Sequence, residues 1–370
     1  MELSETEERE RKDVMKKKIL LRGLCSLVLV GALLFGVVSP AAMVPHASAA
    51  VKLTGKRKTI AFGKTFYGKH GKLKVKGTKL VDKAGKAVQL KGVSSHGINW
   101  DVGEPFVNEK ALQNLRDEWG VNCFRVAMYT EDYNGYCVTD NASRKKLLNK
   151  IDVAVKAGKK LGMYVIIDWH ILNDGNPKKN QSKAKAFFKK VANKYRGEGH
   201  VLYEICNEPN GGTKWKTIKS YAKSVIKVIR KYNKNAIIIV GTPNWSQDVD
   251  VASKSPITGY KNIMYSFHFY AATHKDSYRN KVKTALKNKL PLICTEFSAC
   301  EASGNGSYDF SSANKWMSLM NKNKIGYCCW SLSNKPESAS LLKSSCKRTS
   351  GFKTKDLSRM GRWLVEKYRK

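Results

Sequence analysis

Eight short apolar runs recur along the chain, and each is followed by a stretch with the period of an amphipathic helix. Successive runs start roughly 30 to 40 residues apart, which is enough for one strand, one helix and two loops. Strands that alternate with helices are typical of parallel sheets, and eight such units predict a closed (β/α)8 barrel. The runs begin near Val88, Val121, Tyr164, Leu202, Ala236, Ile263, Leu292 and Gly326.

The stretches between the runs stop where a helix would stop. Residues 110–119 end at Gly120, and residues 147–161 end at Gly162. Glycine is favoured just after a helix because it adopts left-handed backbone angles easily. A doubly wound dinucleotide-binding sheet would need a Gly-x-Gly-x-x-Gly turn after its first strand, and this chain lacks one. We therefore predict a single α/β domain, a (β/α)8 TIM barrel over residues 66–370.

The first 65 residues do not follow this pattern. Residues 1–22 are charged, residues 24–44 are not, and Ala47-Ser48-Ala49 has the small side chains of a cleavage site. These features predict a signal peptide over residues 1–49, cleaved after Ala49, with Met15 as an alternative start. An uncleaved anchor is the competing interpretation, because about 20 uncharged residues can span a bilayer. Residues 50–65 are rich in Lys, Gly and Thr and predict a basic, flexible leader.

Basic residues far outnumber acidic ones, with 68 Lys and Arg against 30 Asp and Glu and a formal net charge of +38. A field of this sign attracts nucleic acids, anionic membranes and acidic polysaccharides. Most of the cations are Lys and they are spread over the whole chain, which indicates a solvated basic surface. We therefore predict no nucleic-acid partner.

The cysteines do not have the pattern of a disulfide framework. Most of those after the signal segment lie in apolar runs and are expected to be small buried hydrophobes. One disulfide among Cys137, Cys300 and Cys346 stays open. No Cys or His spacing typical of zinc is present, so we predict no metal site.

Polar and aromatic side chains collect where the predicted strands end. The C-terminal ends of the strands form the active-site face of a (β/α)8 barrel. A single His, Trp or Glu at such a position has an ordinary structural explanation, but scattered structural uses would not all choose one rim. In chain order these residues are His96, Trp100, Arg125, Tyr129, Asp168, His170, Asn207, Glu208, Thr242, Trp245, His268, Tyr270, His274, Glu296, Trp330, Lys335 and Glu337.

Two of these residues are carboxylates on opposite sides of the predicted barrel. Glu208 ends the fourth strand and Glu296 the seventh, so their side chains can converge over the mouth. Two carboxylates that flank a bond are the arrangement for glycoside hydrolysis. Aromatic side chains at the rim suit the apolar faces of sugars. A metal hydrolase of this fold would usually have His-x-His on the first strand, where this chain has Ser94-Ser95-His96-Gly97.

Several longer motifs occur together and in a fixed order. They are Phe124-Arg125-Val126-Ala127-Met128-Tyr129, Asp168-Trp169-His170, Asn207-Glu208-Pro209, His268-Phe269-Tyr270 and Trp330-Ser331-Leu332-Ser333-Asn334-Lys335. With these motifs the chain resembles glycoside hydrolase family 5, and within it the bacterial endo-1,4-β-glucanase (cellulase) branch. The resemblance extends over residues 67–368.

The resemblance implies a retaining mechanism with Glu208 as acid/base and Glu296 as nucleophile. Asn207 matches the residue that hydrogen-bonds the sugar 2-hydroxyl, and His268 matches a partner of the acid/base. Arg125 and Tyr270 match residues that surround the nucleophile. The positions that match substrate-cleft residues are His96, Trp100, Tyr129, His170, Trp330, Lys335 and Glu337.

One departure from the family concerns the residues after the nucleophile. The family commonly has Trp-Gly there, whereas this chain has Phe297-Ser298, a change that could alter the packing behind Glu296.

The resemblance also implies a secreted monomer that cuts internal bonds of a β-glucan polysaccharide, needs no cofactor and has no stable membrane association after signal cleavage. Mannan, xylan and mixed-linkage glucan remain alternative substrates, because the fold and both carboxylates are shared among such enzymes. A non-catalytic glycan-binding barrel is the alternative outside catalysis.

Overall fold

The strands of the barrel start close to the predicted apolar runs. The computed structural model describes residues 52–370, so the predicted signal peptide lies outside the described residues. Eight parallel strands close into a barrel, and the predicted (β/α)8 fold is confirmed. An antiparallel hairpin precedes them. The strands are β1 Lys74–Lys76, β2 Lys79–Val81, β3 Lys91–Ser95, β4 Cys123–Tyr129, β5 Tyr164–His170, β6 Val201–Glu204, β7 Ile238–Val240, β8 Ile263–Tyr270, β9 Leu292–Ser298 and β10 Tyr327–Leu332.

Helices cover the outside of the barrel, and two of them end at the predicted glycines. Gly120 and Gly162 follow their helices with φ of 77° and 64°, the left-handed region that glycine enters at low cost. The longer α-helices are Asn141–Leu161, Gln181–Lys194, Trp215–Tyr232, Asp276–Lys287, Phe310–Lys322 and Arg359–Arg369. The shorter ones are Phe66–His70, Glu109–Asn114, Pro243–Ser246 and Val249–Ser253, with a π-helical turn at Leu115–Trp119 and 3-10 turns at Phe62–Lys64, Glu104–Phe106 and Thr354–Asp356. Within residues 52–370, no helix is both long enough and apolar enough to cross a bilayer.

Alternation along each strand divides the side chains between two cores. On β4, Phe124, Val126 and Met128 pack in the layer between the strands and the helices. Cys123 and Ala127 belong instead to clusters inside the barrel. Successive side chains of a strand point to opposite faces, so the buried Arg125 also lies inside.

The interior of the barrel is apolar at one end and polar at the other. At the end where the strands begin, Leu80 of the hairpin packs with Tyr164, Ile166 and Leu202 of the barrel. The hairpin therefore closes this end with apolar side chains. Charged and aromatic side chains fill the end where the strands finish.

All eight cysteines from Cys123 to Cys346 are buried and free. The disulfide that the sequence left open among Cys137, Cys300 and Cys346 is therefore not formed in the described part of the chain.

Residues 52–65, expected from their composition to be a flexible leader, lie against the barrel. Leu53 is buried. The Glu118 carboxylate accepts hydrogen bonds from the backbone N–H groups of Thr54, at 2.9 Å, and Gly55, at 2.8 Å. Local composition does not reveal this anchoring, because the carboxylate that provides it lies far along the chain in another element.

Removing that carboxylate should free the segment. Hydrogen bonds to a charged acceptor contribute about 1.5–3 kcal/mol each when buried. We expect Glu118→Ala to speed tryptic cleavage at Lys56 to Lys58 by roughly ten-fold, measured by mass spectrometry under native conditions. Glu109→Ala removes an exposed carboxylate paired with Lys160 and serves as the control. Equal cleavage rates for the two variants would show that other contacts hold the segment.

Candidate active site

An irregularity in β9 sets up the polar end of the barrel. Ser266 pairs with Ile293, but the next pair is His268 with Glu296, so β9 has one residue more than β8 over this stretch. Such a bulge redirects the side chains that follow it. As a result, Thr295 and Glu296 both bond to groups inside the barrel although they are consecutive.

Arg125 lies at the centre of this end and is fully buried. Its guanidinium binds Glu204 with two hydrogen bonds, Nε–Oε2 at 2.8 Å and Nη2–Oε1 at 3.3 Å. It also lies 3.0 Å from Asp168 Oδ2 and 3.1 Å from Glu296 Oε2. One cation from β4 thus joins carboxylates from β5, β6 and β9, and the planar guanidinium can serve all three at once.

Glu296 receives hydrogen bonds from two donors. Besides Arg125, the Tyr270 hydroxyl donates to Glu296 Oε1 at 2.8 Å. Burial and the nearby Glu208 raise the pKa of Glu296, while Arg125 acts in the opposite direction. Both donors stabilise the ionised carboxylate rather than the neutral acid.

Glu208 has a different environment. It is 9% exposed, and its Oε1 lies 2.8 Å from Nδ1 of His268. Burial raises the pKa of Glu208 to about 8, and the charges of Asp168 and Glu204 act in the same direction. A carboxylate oxygen of Glu208 lies within 4.8 Å of one of Glu296. This short separation is typical of retaining glycosidases, in which the carboxyl groups are about 5–5.5 Å apart.

Asn207 is held beneath these two carboxyls. Its Oδ1 accepts from Arg125 Nη2 at 2.6 Å, and its Nδ2 donates to the Ile171 carbonyl at 3.1 Å. Nδ2 also lies 3.2 Å from His170 Nε2, and His170 Nδ1 lies 2.6 Å from Asp168 Oδ2. Because Asn207 Nδ2 can only donate, His170 Nε2 accepts from it, and the ring proton on Nδ1 is donated to Asp168.

Aromatic rings form walls of a cleft above these polar side chains. The Trp330 ring stacks on His170 at 5.3 Å between centroids, and the Tyr129 ring lies 4.0 Å from that of His170. Trp100 packs edge-on against Tyr129 at the rim, with centroids 4.5 Å apart. The resulting cleft has a volume of about 570 Å³.

His96 lines the cleft and is almost fully buried. Its ring lies between Trp100 and Trp330, and its Nδ1 has no hydrogen-bond partner among the described residues. Burial lowers the pKa of His96 to about 3, so the ring is neutral. Lys335 and Glu337 form an ion pair of 2.5 Å at another wall of the cleft.

The structure brings the predicted site residues together at one end of the barrel. Of the residues to which the family resemblance assigned a role, Arg125 and Asn207 lie beneath the cleft and Trp100 lies at its rim, whereas the others line it. Further lining residues, to which the family resemblance assigned no role, are Leu172, Asn244, Trp245, Gln247, His274, Tyr278, Ala302, Ser303 and Gly304. The sequence does carry a signal for two of them, since Trp245 and His274 also follow strand ends.

The turn that carries Trp245 could not be predicted. Asn244, Trp245 and Ser246 all have φ between 54° and 57°, a left-handed conformation that is uncommon for residues other than glycine. The Ser246 hydroxyl donates to the Asn207 carbonyl at 2.6 Å, and Trp245 N–H donates to the Pro209 carbonyl at 3.0 Å. These bonds tie the turn to the segment that carries Glu208 and leave the Trp245 ring 44% exposed beside the cleft.

Glu208, His268 and Glu296 are close enough to be considered as metal ligands. Each of them already has a hydrogen-bond partner, however, in His268 for Glu208 and in Tyr270 and Arg125 for Glu296. A cation would have to displace these bonds and would lie near the Arg125 charge. The donors therefore fit a proton network better than a metal centre.

Phe297 and Ser298, which replace the usual Trp-Gly, do not enter the cleft. The Phe297 ring packs behind the strand, 5.2 Å from that of Phe269, in the layer facing the helices. Ser298 is buried and accepts a weak hydrogen bond from Cys300 Sγ at 3.3 Å. The substitution thus changes the packing outside the barrel and leaves the Glu296 contacts in place.

A family model described as cellulase (glycosyl hydrolase family 5) matches residues 81–336. The chain belongs to glycosyl hydrolase family 5. The match spans all eight strands of the barrel, β3 to β10. It includes Arg125, Asn207, Glu208 and Glu296. The resemblance found in the sequence is thereby confirmed, and the chain is a glycoside hydrolase of the cellulase family.

Relatives and solved structures agree with this family. The chain is 44% identical over 298 residues to endoglucanase A of Butyrivibrio fibrisolvens, covering 80% of this chain and 68% of that protein. It is 46% identical over 292 residues to an endoglucanase of Clostridium saccharobutylicum, covering 79% of this chain and 63% of that protein. The chain thus spans about two thirds of the length of these relatives.

Among solved structures, the catalytic domain of Thermobifida fusca endoglucanase Cel5A (E5), in a variant bound to cellotetraose, aligns with a TM-score of 0.76 at 35% identity. The alignment covers 83% of this chain and all of that one. Cellulase Cel5C_n aligns with a TM-score of 0.77 at 39% identity, covering 85% of this chain and 96% of that one.

The raised pKa of Glu208 implies that the stability of the fold depends on pH. In the unfolded chain a Glu has a pKa of about 4.3, and in the folded protein that of Glu208 is about 8, so the folded state holds its proton more tightly. The stability provided by this protonated group is complete below pH 4 and is lost as the pH rises toward 8. Glu208→Gln copies the protonated form at every pH.

We therefore expect the free energy of unfolding of Glu208→Gln to exceed that of the unmodified protein at pH 8.5 and to be close to it at pH 4.5. The alkaline difference should be on the order of 3 kcal/mol, measured by chemical denaturation at both pH values. Glu366→Gln, which removes one charge from an exposed pair with Lys370, should show no such pH dependence. A gain of equal size at both pH values would contradict the assignment.

Proposed function

We propose that the protein is a secreted endo-1,4-β-glucanase that hydrolyses internal bonds of β-glucans with retention of anomeric configuration. The observation that carries this proposal is the pair Glu208 and Glu296, with carboxylate oxygens within 4.8 Å of each other and unlike hydrogen-bond partners. Membership of the cellulase family and the endoglucanase relatives support the glucan substrate.

In the first step Glu296 attacks the anomeric carbon of the bound sugar. Arg125 and Tyr270 hold it ionised and oriented. Glu208 passes its proton to the glycosidic oxygen as the bond breaks, so the leaving sugar departs as an alcohol. A covalent glycosyl ester on Glu296 remains.

In the second step water hydrolyses this ester. Once Glu296 is esterified, its charge is gone and no longer opposes a charge on Glu208. Glu208 then takes a proton from water, and the hydroxide attacks the anomeric carbon from the face that the leaving group vacated. Glu296 departs as a carboxylate, and both side chains return to their starting states.

The cleft side chains hold the sugar chain around these groups. Trp100, Tyr129 and Trp330 supply faces for sugar rings, and His96 lines the cleft between Trp100 and Trp330. Asn207 Nδ2 donates to the 2-hydroxyl of the sugar. This bond replaces the contact with His170 Nε2, which at 3.2 Å is the longest hydrogen bond of the Asn207 side chain. His170, Lys335 and Glu337 complete the walls of the cleft, and His268 supports Glu208.

The remaining parts of the proposal concern the cell. A signal peptide over residues 1–49 delivers the enzyme outside the cytoplasm, where it acts as a monomer without a cofactor or a stable membrane association. The polar mouth of the barrel and the cellotetraose complex of the Thermobifida fusca relative support a neutral glucan chain as the substrate.

Replacing the nucleophile tests the mechanism. We expect Glu296→Gln to lower kcat on cellooligosaccharides by more than about 1,000-fold while binding of cellotetraose stays measurable by calorimetry. Glu301→Gln, a change of the same chemistry on the exposed loop beyond β9, should remain active. Reducing-sugar assays on soluble β-1,4-glucan, mixed-linkage glucan, mannan and xylan identify the preferred polymer. Retained hydrolysis by Glu296→Gln, or preference for mannan or xylan, would refute this assignment.

A further inference from the structure

A chain of hydrogen bonds leads away from Glu208 to the buried base of the barrel mouth. His268 Nδ1 lies 2.8 Å from Glu208, and His268 Nε2 lies 2.8 Å from Thr295 Oγ1. Thr295 Oγ1 in turn lies 2.6 Å from Glu204 Oε1. Thr295 and Glu204 are fully buried and do not line the cleft, so neither contacts a substrate there.

The direction of each bond follows from the Glu204 end. Burial raises the pKa of Glu204, whereas Arg125 lowers it by donating to both carboxylate oxygens. We assign the ionised form because this paired contact with a cation favours it, and an ionised carboxylate can only accept. Thr295 Oγ1 also contacts the Ser266 hydroxyl, which can donate to it. Glu204 can only accept, so the single hydroxyl proton of Thr295 goes to Glu204. The Thr295 oxygen then accepts from His268 Nε2, which places the imidazole proton on Nε2.

The other nitrogen of the ring is thereby left with a lone pair. Burial lowers the pKa of His268 to about 4, so the ring is neutral and holds a single ring proton. Nδ1 therefore accepts, and the Glu208 carboxyl must donate to it. A lone pair facing Glu208 favours its protonated form and disfavours its carboxylate.

We propose that Thr295 and Glu204 are positioning residues that fix the tautomer of His268 and through it keep Glu208 protonated for the first step of the reaction. This proposal rests on the proposed function, because it concerns the acid/base role of Glu208. After bond cleavage the same lone pair makes the Glu208 carboxylate more basic, which favours recovery of a proton from water.

Other charged groups face Glu208 as well and act at the same time. Glu296 on β9 and Tyr270 on β8 lie beside it, with Arg125, Asp168 and Glu204 below. A variant at Thr295 leaves all of these in place, since the hydroxyl carries no charge. Thr295 is therefore the point at which the hydrogen-bond chain can be cut without removing a charge, and the buried Ser266 hydroxyl loses a partner in the same step.

The test compares Thr295→Val, which removes the hydroxyl at nearly constant shape, with Thr295→Ser, which restores it. In Thr295→Val we expect the alkaline limb of kcat/KM to move down by about one pH unit. Hydrolysis of unactivated cellotetraose should slow by about ten-fold. An aryl cellobioside with an acidic nitrophenol leaving group needs no proton and should change by less than about two-fold. Thr295→Ser should behave like the unmodified enzyme.

A spectroscopic measurement separates this proposal from the proposed function. The ¹⁵N resonances of His268 in the unmodified protein should show a protonated Nε2 and an unprotonated Nδ1. If the protein cleaves no β-glucan, the proposed function fails while the tautomer still tests the chain of bonds. A proton on Nδ1, or equal loss on both substrates in Thr295→Val, would overturn the proposal.

A separate observation concerns the outside of the barrel. The neighbouring helices Gln181–Lys194 and Trp215–Tyr232 carry five and six basic residues respectively and no acidic one. Lys194 pairs with Asp152, and within residues 52–370 the other nine lysines of the two helices form no ion pair. They are Lys183, Lys185, Lys189, Lys190, Lys216, Lys219, Lys223, Lys227 and Lys231. We call this two-helix surface the basic face.

Other lysines of the exterior do have acidic partners, such as Lys159 with Glu198 and Lys179 with Glu131. Along each helix successive basic residues are at most four positions apart, a rise of about 6 Å. This is less than a Debye length of roughly 8–10 Å, so neighbouring charges reinforce one another. Such a surface fits a linear polyanion.

We infer that the basic face binds a carboxylated polysaccharide and holds the enzyme near material that also contains its neutral substrate. The choice of a polysaccharide over other polyanions rests on the proposed function. Lysine suits such a ligand because its ammonium acts as a point charge on a flexible stem and needs no fixed geometry.

Affinity electrophoresis of the full chain in gels containing polygalacturonate tests this inference. We expect the triple variant Lys185→Glu, Lys216→Glu, Lys227→Glu to bind at least about five-fold more weakly than the unmodified protein. The matched variant Lys110→Glu, Lys287→Glu, Lys322→Glu has the same net charge and should keep most of the binding. Both should hydrolyse soluble glucan normally, which separates this test from that of the proposed function.

Equal loss of polygalacturonate binding in the two triple variants would show that binding depends on net charge alone, and it would overturn the inference. Tighter retention by DNA or by vesicles rich in anionic lipid, at equal anion concentration, would also overturn the choice of a polysaccharide.

Discussion

The polar end of the barrel depends on one buried cation. Arg125 carries the only positive charge in direct contact with Asp168, Glu204 and Glu296 among the described residues, and all four side chains are almost entirely removed from water. Taking charges out of water costs several kcal/mol per ion unless partners compensate. Three carboxylates around one arginine leave a net negative site, so a further carboxyl nearby is driven to keep its proton. That further carboxyl is Glu208.

The two carboxyls of the proposed mechanism, Glu208 and Glu296, therefore differ because of what surrounds them and not because of their own chemistry. Glu296 is bonded to a cation and a hydroxyl, both of which donate. Glu208 is bonded to a neutral imidazole whose proton is turned away from it. Environments that push two pKa values apart are how one site supplies an acid and an ionised carboxylate at the same pH. Arg125 acts on both carboxyls. It binds Glu296 directly, and it is connected to Glu208 through Glu204, Thr295 and His268.

The sequence predicts the barrel well because parallel strands buried on both faces appear as continuous apolar runs. It also places Glu208 and Glu296 at strand ends, where the topology makes them neighbours. It does not reveal the extra residue in β9 that turns both Thr295 and Glu296 inward, since bulges depend on how two strands pair. The left-handed turn at Trp245 escapes prediction for a similar reason, because bonds to the Asn207 and Pro209 carbonyls hold it.

The buried ionic cluster is a poor way to stabilise a barrel. Replacing a buried ion pair with well-packed apolar side chains is often neutral or stabilising, whereas removing one partner is strongly destabilising. The apolar interior around Tyr164, Ile166 and Leu202 shows how the same barrel is filled where no chemistry is needed. The strand positions above it hold Arg125, Asp168 and Glu204 instead, one alternation further along β4, β5 and β6. Their cost in stability is explained by the two proton states that they impose on Glu208 and Glu296.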